Sequence, residues 1–229
     1  MMAAESAQTL ERGLRLLRLL ADGNRGRTPT ELAQELGLSR PVVYRLITTL
    51  QNEGFARRDA DGRVHLGFGV LVMAQAVQPL LRAAALPALR ALAEQVGATA
   101  HLTVAEGDDG VAVAVVEPSW TDMHLAYREG SRHPLTRGAA GLAILALREE
   151  AAGAVRPSDE AGPEGTALPP FLVTEGQLQE GARGIAAPVR GLPWLEASVG
   201  VVTFGLLDIE TVGPRVVEAA RELARALAH

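Results

Sequence analysis

The chain has 229 residues, 48% of them hydrophobic and 21% charged, and a formal net charge of −5. That balance excludes a disordered polymer, which needs low hydrophobicity with high net charge. The absence of cysteine excludes disulfides, thiolate nucleophiles, cysteine-ligated zinc and iron–sulfur clusters, and fits a reducing compartment. No signal peptide is expected: Glu5 and Glu11 stand where positive charge should be, and arginines interrupt the leucines that follow. No continuous apolar run approaches the ~18 residues of a membrane helix. The expectation is a soluble, cytoplasmic protein of one large or two small domains.

Every basic residue is arginine, which reads first as a genomic composition bias. Charge is uneven along the chain. Residues 1–78 hold ten arginines against eight acidic residues, a net +2, and residues 79–229 hold twelve against nineteen, a net −7. An acidic total can hide a mildly basic module at one end.

Leu10, Leu14, Leu17 and Ala21 recur at helical spacing, so Thr9 to Ala21 reads as an amphipathic helix ended by Gly23 and Asn24. Thr28-Pro29-Thr30-Glu31 is a capping box with proline at the first helical position. It opens a short helix through Leu36, which Gly37 stops. Ser39 is a fresh N-cap, and a third helix runs from Arg40 to Glu53. Two helices around a tight glycine-containing turn make a helix-turn-helix. At ~100° per residue, Val43, Leu46, Ile47 and Leu50 fall on one side of the third helix, and Pro41, Tyr44, Arg45 and Thr48 on the other. The first set closes a three-helix core. The second carries donors that read bases and phosphates, with Arg40 at the helix N-terminus.

Phe55 to Arg58, Asp59-Ala60-Asp61-Gly62 and Arg63 to Leu66 read as a hairpin around an Asp-Gly turn. A basic hairpin directly after a recognition helix is the wing of a winged helix, and Arg57, Arg58 and Arg63 can reach backbone phosphate or a minor groove. Helix-turn-helix shapes also occur in proteins that bind no DNA, and surface arginines are often only solvated.

Phe68 to Val77 is an apolar helical stretch. Gly67-Phe68-Gly69 lacks the third glycine and the βαβ unit of a nucleotide motif. Pro79 and Pro87 punctuate the next segment, Pro87 opening a helix with Leu89, Leu92 and Val96 that Gly97 ends. This linker serves either dimerisation or simple spacing. Strands follow at Ala100 to Ala105 and Val111 to Glu117 around Gly107-Asp108-Asp109-Gly110, and at Met123 to Arg128. Gly138 to Leu147 is a small-residue helix. Ile185 to Val189 and Ala197 to Phe204 are further strands, and Val217, Ala220, Leu223 and Leu227 mark a final helix. Arg148 to Pro170, rich in Pro, Gly, Ala and acids, reads as an irregular insertion. Antiparallel strands with helices before, between and after them make an α+β domain.

His65, His101, His124, His133 and His229 share no metal-ligand spacing. No nucleophile elbow, phosphate loop or full dinucleotide fingerprint appears. The residues point to no catalysis, metal or cofactor.

Three stretches resemble the IclR family of bacterial transcription regulators: Thr9-Leu10-Glu11-Arg12-Gly13-Leu14-Arg15-Leu16-Leu17, Thr30-Glu31-Leu32-Ala33, and Gly37-Leu38-Ser39-Arg40-Pro41-Val42-Val43-Tyr44-Arg45-Leu46. Gly62-Arg63-Val64-His65-Leu66-Gly67, His133-Pro134-Leu135 and Gly181-Ala182-Arg183-Gly184-Ile185-Ala186-Ala187-Pro188-Val189 are similar to it as well. The resemblance implies a winged helix-turn-helix over 1–67, a linker helix over 68–78, and an effector-binding and oligomerisation domain over 79–229 with a GAF-like antiparallel sheet. It implies a homodimer or dimer of dimers on a pseudo-palindromic operator, acting as a repressor rather than an activator. Ser39, Arg40, Pro41, Tyr44, Arg45, Thr48, Arg57, Arg58 and Arg63 would meet double-stranded DNA. The family's polar pocket positions match Thr174, Gly184, Gly200 and Val202 here, and other pocket positions match Leu125, His133, Ala139 and Ala140. A site so stripped of donors takes a more apolar or bulkier effector, or none. Two other readings stay open: a ligand-binding protein whose head only dimerises, and an enzyme built on the sensor-like domain.

Overall fold

The computed structural model describes residues 7–21, 25–120, 127–153, 156–157 and 167–228. By its internal contacts the chain divides into two compact units, Met1–Val77 and Gln78–His229.

The first unit packs α1 (Gln8–Ala21), α2 (Pro29–Leu36) and α3 (Arg40–Asn52) with a two-stranded hairpin, β1 (Ala56–Arg58) and β2 (Val64–Leu66). Its core is Leu16, Leu20, Leu32, Ala33, Val43, Leu46 and Ile47, joined by Ala56 and Val64 from the hairpin. The capping box is complete. The Glu31 backbone N–H donates to Thr28 Oγ1 at 3.2 Å, and the Thr28 N–H donates to Glu31 Oε2 at 2.6 Å. Those bonds, with Arg63 and Arg25 nearby, hold the Glu31 carboxyl below its ordinary range. Gly37 ends α2 at φ 64°, a left-handed conformation that glycine adopts without penalty. Ser39 sits extended before α3, but its side chain makes no capping bond.

Gly67 and Gly69 are glycine for a packing reason. A Cβ on Gly67 would lie 2.1 Å from the Gly54 carbonyl oxygen, and the Gly69 N–H donates to that same oxygen at 2.9 Å. The Gly-Phe-Gly step is the close crossing of the chain past the end of α3.

The helix that follows, α4 (Gly69–Val96), is one element of 28 residues with Pro79 and Pro87 inside it. The sequence reading breaks it at the prolines, and the structure does not. Each interior proline removes one helical bond, at about 3 kcal/mol. Strong helix formers around them (Ala83, Ala84, Ala85, Ala88) and the burial of Leu89 and Leu92 offset that cost. A second correction concerns length and hydropathy: α4 is a helix long and apolar enough to cross a membrane by those two measures alone. Gln75, Gln78 and Arg82 interrupt the run, so a search for continuous apolar residues misses it.

In the second unit β3 (Thr99–Glu106), β4 (Asp109–Val116), β5 (Arg132–Pro134), β8 (Leu172–Glu175), β9 (Arg183–Pro188) and β10 (Ala197–Thr203) form one antiparallel sheet in the order β5-β4-β3-β10-β9-β8. Between α5 (Gly138–Ala151) and β8, two-residue strands β6 (Arg156–Pro157) and β7 (Ala167–Leu168) pair in parallel, and α6 (Ile209–Leu227) closes the chain. Strand alternation sorts the two faces. Ala100, Leu102, Ile185, Ala187, Val199 and Val201 join Ala85, Leu89 and Leu92 of α4 and Val216, Ala220 and Leu223 of α6 in one core. Ala186, on the opposite face, joins Ala139, Ala140 and Ala143 of α5.

The expected strand over Met123 to Arg128 lies mostly outside the described residues. Short strands at β5 and β8 were not expected. Both sit at the sheet's edges, where three or four residues carry little periodicity. Arg148 to Ala151, read as the start of an irregular insertion, belong to α5; most of the remainder of that insertion lies outside the described residues.

Candidate DNA interface and effector cavity

In the first unit α3 buries Val43, Leu46 and Ile47 and leaves Arg40, Pro41, Tyr44, Arg45 and Thr48 exposed beside the exposed Ser39. The face read as outward is outward. Arg57 and Arg58 are exposed on the wing. The Arg58 guanidinium lies 5.5 Å from the Tyr44 ring centre, and that of Arg57 5.7 Å from the Phe68 ring. These contacts place both cations over aromatic rings. The Thr48 hydroxyl donates to the Tyr44 carbonyl at 2.9 Å, which leaves its oxygen as an exposed acceptor.

Arg63 differs from its neighbours. It is half-buried and donates to the Gly26 carbonyl at 3.2 Å and to Glu31 Oε2 at 3.4 Å. Its guanidinium ties the wing to the start of α2. Asp59 braces the wing turn: it accepts from the Asp61 and Arg63 N–H groups and meets His65 Nε2 at 2.8 Å. The His65 bond is the largest influence holding the Asp59 carboxyl below its ordinary range.

The second unit holds a cavity of about 230 Å³ on the α5 face of the sheet. Of the expected positions, His133, Ala139, Ala140, Thr174, Gly184 and Val202 line it. Leu125 lies outside the described residues. Gly200 is not part of the lining. It lies beside the His101 ring, where a Cβ would come within 2.8 Å of the imidazole, so its lack of a side chain leaves room for that ring.

His101, Thr103 and Tyr127 are the functional candidates that sequence reasoning missed. Thr99, His101 and Thr103 are all buried, a polar stripe of period two in an otherwise apolar strand, and that alternation was the available signal. The rings of His101 and Tyr127 meet with centres 5.0 Å apart and a 59° tilt. Burial, with a smaller contribution from nearby His133, pushes the His101 pKa down to about 3, so the ring is neutral at physiological pH. Burial pushes the Tyr127 phenol up.

The start of α5 borders the cavity, but its first amides are occupied. The Gly138 N–H donates to Gln177 Oε1 at 2.9 Å and the Ala139 N–H to Thr174 Oγ1 at 3.0 Å. Ser198 donates to the Ala140 carbonyl at 3.0 Å. Among the described residues no group of three or more His, Cys, Asp or Glu is placed to hold a metal ion.

Residues 9–60 match the IclR helix-turn-helix domain, and residues 74–154 match the Bacterial transcriptional regulator IclR C-terminal domain. The glycerol operon regulatory protein of Streptomyces griseus is 31% identical over 206 residues, covering 81% of this chain and 80% of that protein. The chain belongs to the IclR family. The transcriptional repressor IclR of Escherichia coli is 32% identical over 152 residues, 65% of this chain, and the match spans 56% of that repressor's length. The crystal structure of an IclR homolog from Microbacterium hydrocarbonoxydans, complexed with 4-hydroxybenzoate, covers 96% of this chain and 99% of its own, at a TM-score of 0.53 and 22% identity. At that identity it speaks for the fold: an IclR helix-turn-helix followed by an α+β domain.

Proposed function

We propose that this protein is a sequence-specific DNA-binding transcription regulator of the cytoplasm, a repressor, and not an enzyme. The observation that carries the reading is the exposed face of α3, with Arg40, Tyr44, Arg45 and Thr48 beside the wing cations Arg57 and Arg58. Ser39, Arg40, Pro41, Tyr44, Arg45 and Thr48 enter the major groove, and Arg57 and Arg58 hold the backbone. Arg63 keeps the wing in place. Residues 1–67 are the DNA-binding domain, 68–78 the linker, and 79–229 the effector-binding and oligomerisation domain.

The protein acts as a homodimer or dimer of dimers. Phe68, Leu71, Val72, Met73, Val77 and Leu80 are each more than half exposed, and so is Leu10 of α1. An apolar stretch of that size needs a cover, and a second copy supplies the two-fold symmetry that a pseudo-palindromic operator requires. A small effector in the cavity of the second unit prefers one arrangement of the two heads. Only its differential affinity for the two states can shift DNA binding.

Titration of an operator fragment with wild type and Arg45→Ala tests the assignment. The expected loss is about 1–3 kcal/mol for one bidentate base contact, with relaxed specificity at that base. An unchanged operator affinity would refute Arg45 as a reading residue.

A further inference from the structure

One wall of the cavity is the loop between β8 and β9, which supplies Gln177, Leu178 and Gln179 to the lining. That loop is fastened to the start of α5 by three contacts. The Gly138 N–H donates to the Gln177 side chain at 2.9 Å, and because an N–H only donates, the atom facing it is the amide oxygen. The Arg137 guanidinium donates to the Gln177 main-chain carbonyl. Leu178 packs where Gly138 has no side chain: a Cβ there would come within 2.6 Å of Leu178 Cδ1.

The first turn of a helix carries N–H groups without intrahelical partners, and with the helix dipole they favour an anion. Gly138 and Ala139 both line the cavity, yet both of their amides are satisfied by oxygens of the chain itself. The two occupants differ. Thr174, on Ala139, is buried within a strand, whereas Gln177, on Gly138, is exposed on a loop and can leave. The described lining holds one guanidinium, that of Arg132, and it is half exposed and shared between Glu106 and Asp109. A carboxylate that enters without displacing Gln177 therefore gives up its hydration for little in return, which is costly. Ala139, Leu178, Val201 and Val202 supply apolar walls, and the volume of about 230 Å³ compares with the ~150 Å³ that holds a benzene molecule.

We propose that Gln177 sets the charge preference of the cavity. Its amide oxygen stands where a ligand's acceptor would bind at the start of α5, so the cavity takes uncharged molecules of about one ring and admits a carboxylate only by displacing Gln177 and the loop it fastens. This rests on the effector reading of the same site and narrows it.

The test uses the ¹⁵N-labelled full chain at about pH 8, above the ordinary histidine range. Calorimetric titration with benzoate and benzamide compares two molecules of one shape that differ in charge, and NMR follows hydrogen exchange of the Gly138 amide. Wild type should bind benzamide at least about tenfold more tightly than benzoate. Gln177→Ala should speed exchange at Gly138. It should also raise benzoate affinity about tenfold and benzamide affinity less, since a hydrogen bond to a charged acceptor is about twice as strong. Gln177→Glu keeps an oxygen on the Gly138 N–H, so exchange should stay slow and benzoate should stay excluded. Benzoate binding as tightly as benzamide in wild type, an unchanged preference in Gln177→Ala, or no faster exchange there overturns the proposal and leaves the effector site standing. Binding of neither molecule by any of the three proteins overturns the effector reading as well.

Discussion

The division of labour among the wing arginines gives a prediction that can be worked from the structure. Arg40, Arg45, Arg57 and Arg58 are exposed, while Arg63 is committed to the Gly26 carbonyl and Glu31. With Arg45 reading a base, and Arg40, Arg57 and Arg58 each taken as one phosphate contact, a dimer neutralises about six phosphates, and log K should fall with log salt at a slope of about −5. Between 50 and 200 mM salt that is a loss of roughly 10³ in affinity. Arg58→Gln removes two contacts per dimer, so the slope should shrink by about 2, and the loss over that range by roughly tenfold. Arg63→Gln should leave the slope as it is, because that guanidinium faces the protein. Its effect should instead be a looser wing and a lower unfolding temperature for the first unit. The assay is fluorescence anisotropy of a labelled operator fragment at five or six salt concentrations for the three proteins. If Arg63→Gln flattens the slope as much as Arg58→Gln does, the inward assignment of Arg63 is wrong.

Other outcomes follow from single contacts. Thr28→Ala removes the hydroxyl of the capping box and should cost about 1 kcal/mol in the denaturant midpoint of the first unit; no change would mean that the box contributes nothing. Gly67→Ala places a Cβ against the backbone of Gly54 and Ala56, neither of which can move alone. It should destabilise the first unit by about 3 kcal/mol, at the upper end of overpacking, and DNA binding should fall with it; a wild-type melting curve would refute the close crossing. Acid should weaken the second unit through His101. Unfolded, this ring takes a proton below about pH 6.5, whereas folded it stays neutral down to about pH 3. Stability is therefore full above pH 6.5 and declines as pH falls through that window, by at most about 1.4 kcal/mol per pH unit. Calorimetry between pH 7 and 5 should show this slope reduced in His101→Gln, and an identical slope in both proteins would remove His101 as its source.

The parts of the fold legible in the sequence are those whose cause is local. Thr28 and Glu31 announce a helix start because the capping box closes within four residues. The alternation of Val43, Leu46 and Ile47 with Tyr44, Arg45 and Thr48 sorts α3 into its two faces because helix period alone determines it. What was not legible depends on partners distant in sequence. Arg63 looks like its neighbours on the wing, and only Gly26 and Glu31, more than thirty residues away, turn it inward. Pro79 and Pro87 signal breaks, yet α4 continues because its buried positions are set by a sheet that begins after the helix ends. His101 reads as a lone strand histidine until β10 lays Gly200 beside it and Tyr127 comes against its face. The candidate cavity was therefore half visible. His133, Ala139, Ala140, Thr174, Gly184 and Val202 came from resemblance, and His101 and Tyr127 emerged only when segments apart in sequence were brought together.

The central claim is that the first unit reads a specific DNA sequence. The measurement that tests it most directly is selection of sheared bacterial genomic fragments by the purified full chain at physiological salt. The account predicts recovery of a few sites sharing a pseudo-palindrome, with half-sites about one helical turn apart or a multiple of it. Uniform retention of all fragments, or none, would contradict it and leave the ligand-binding protein with a dimerising head as the better reading.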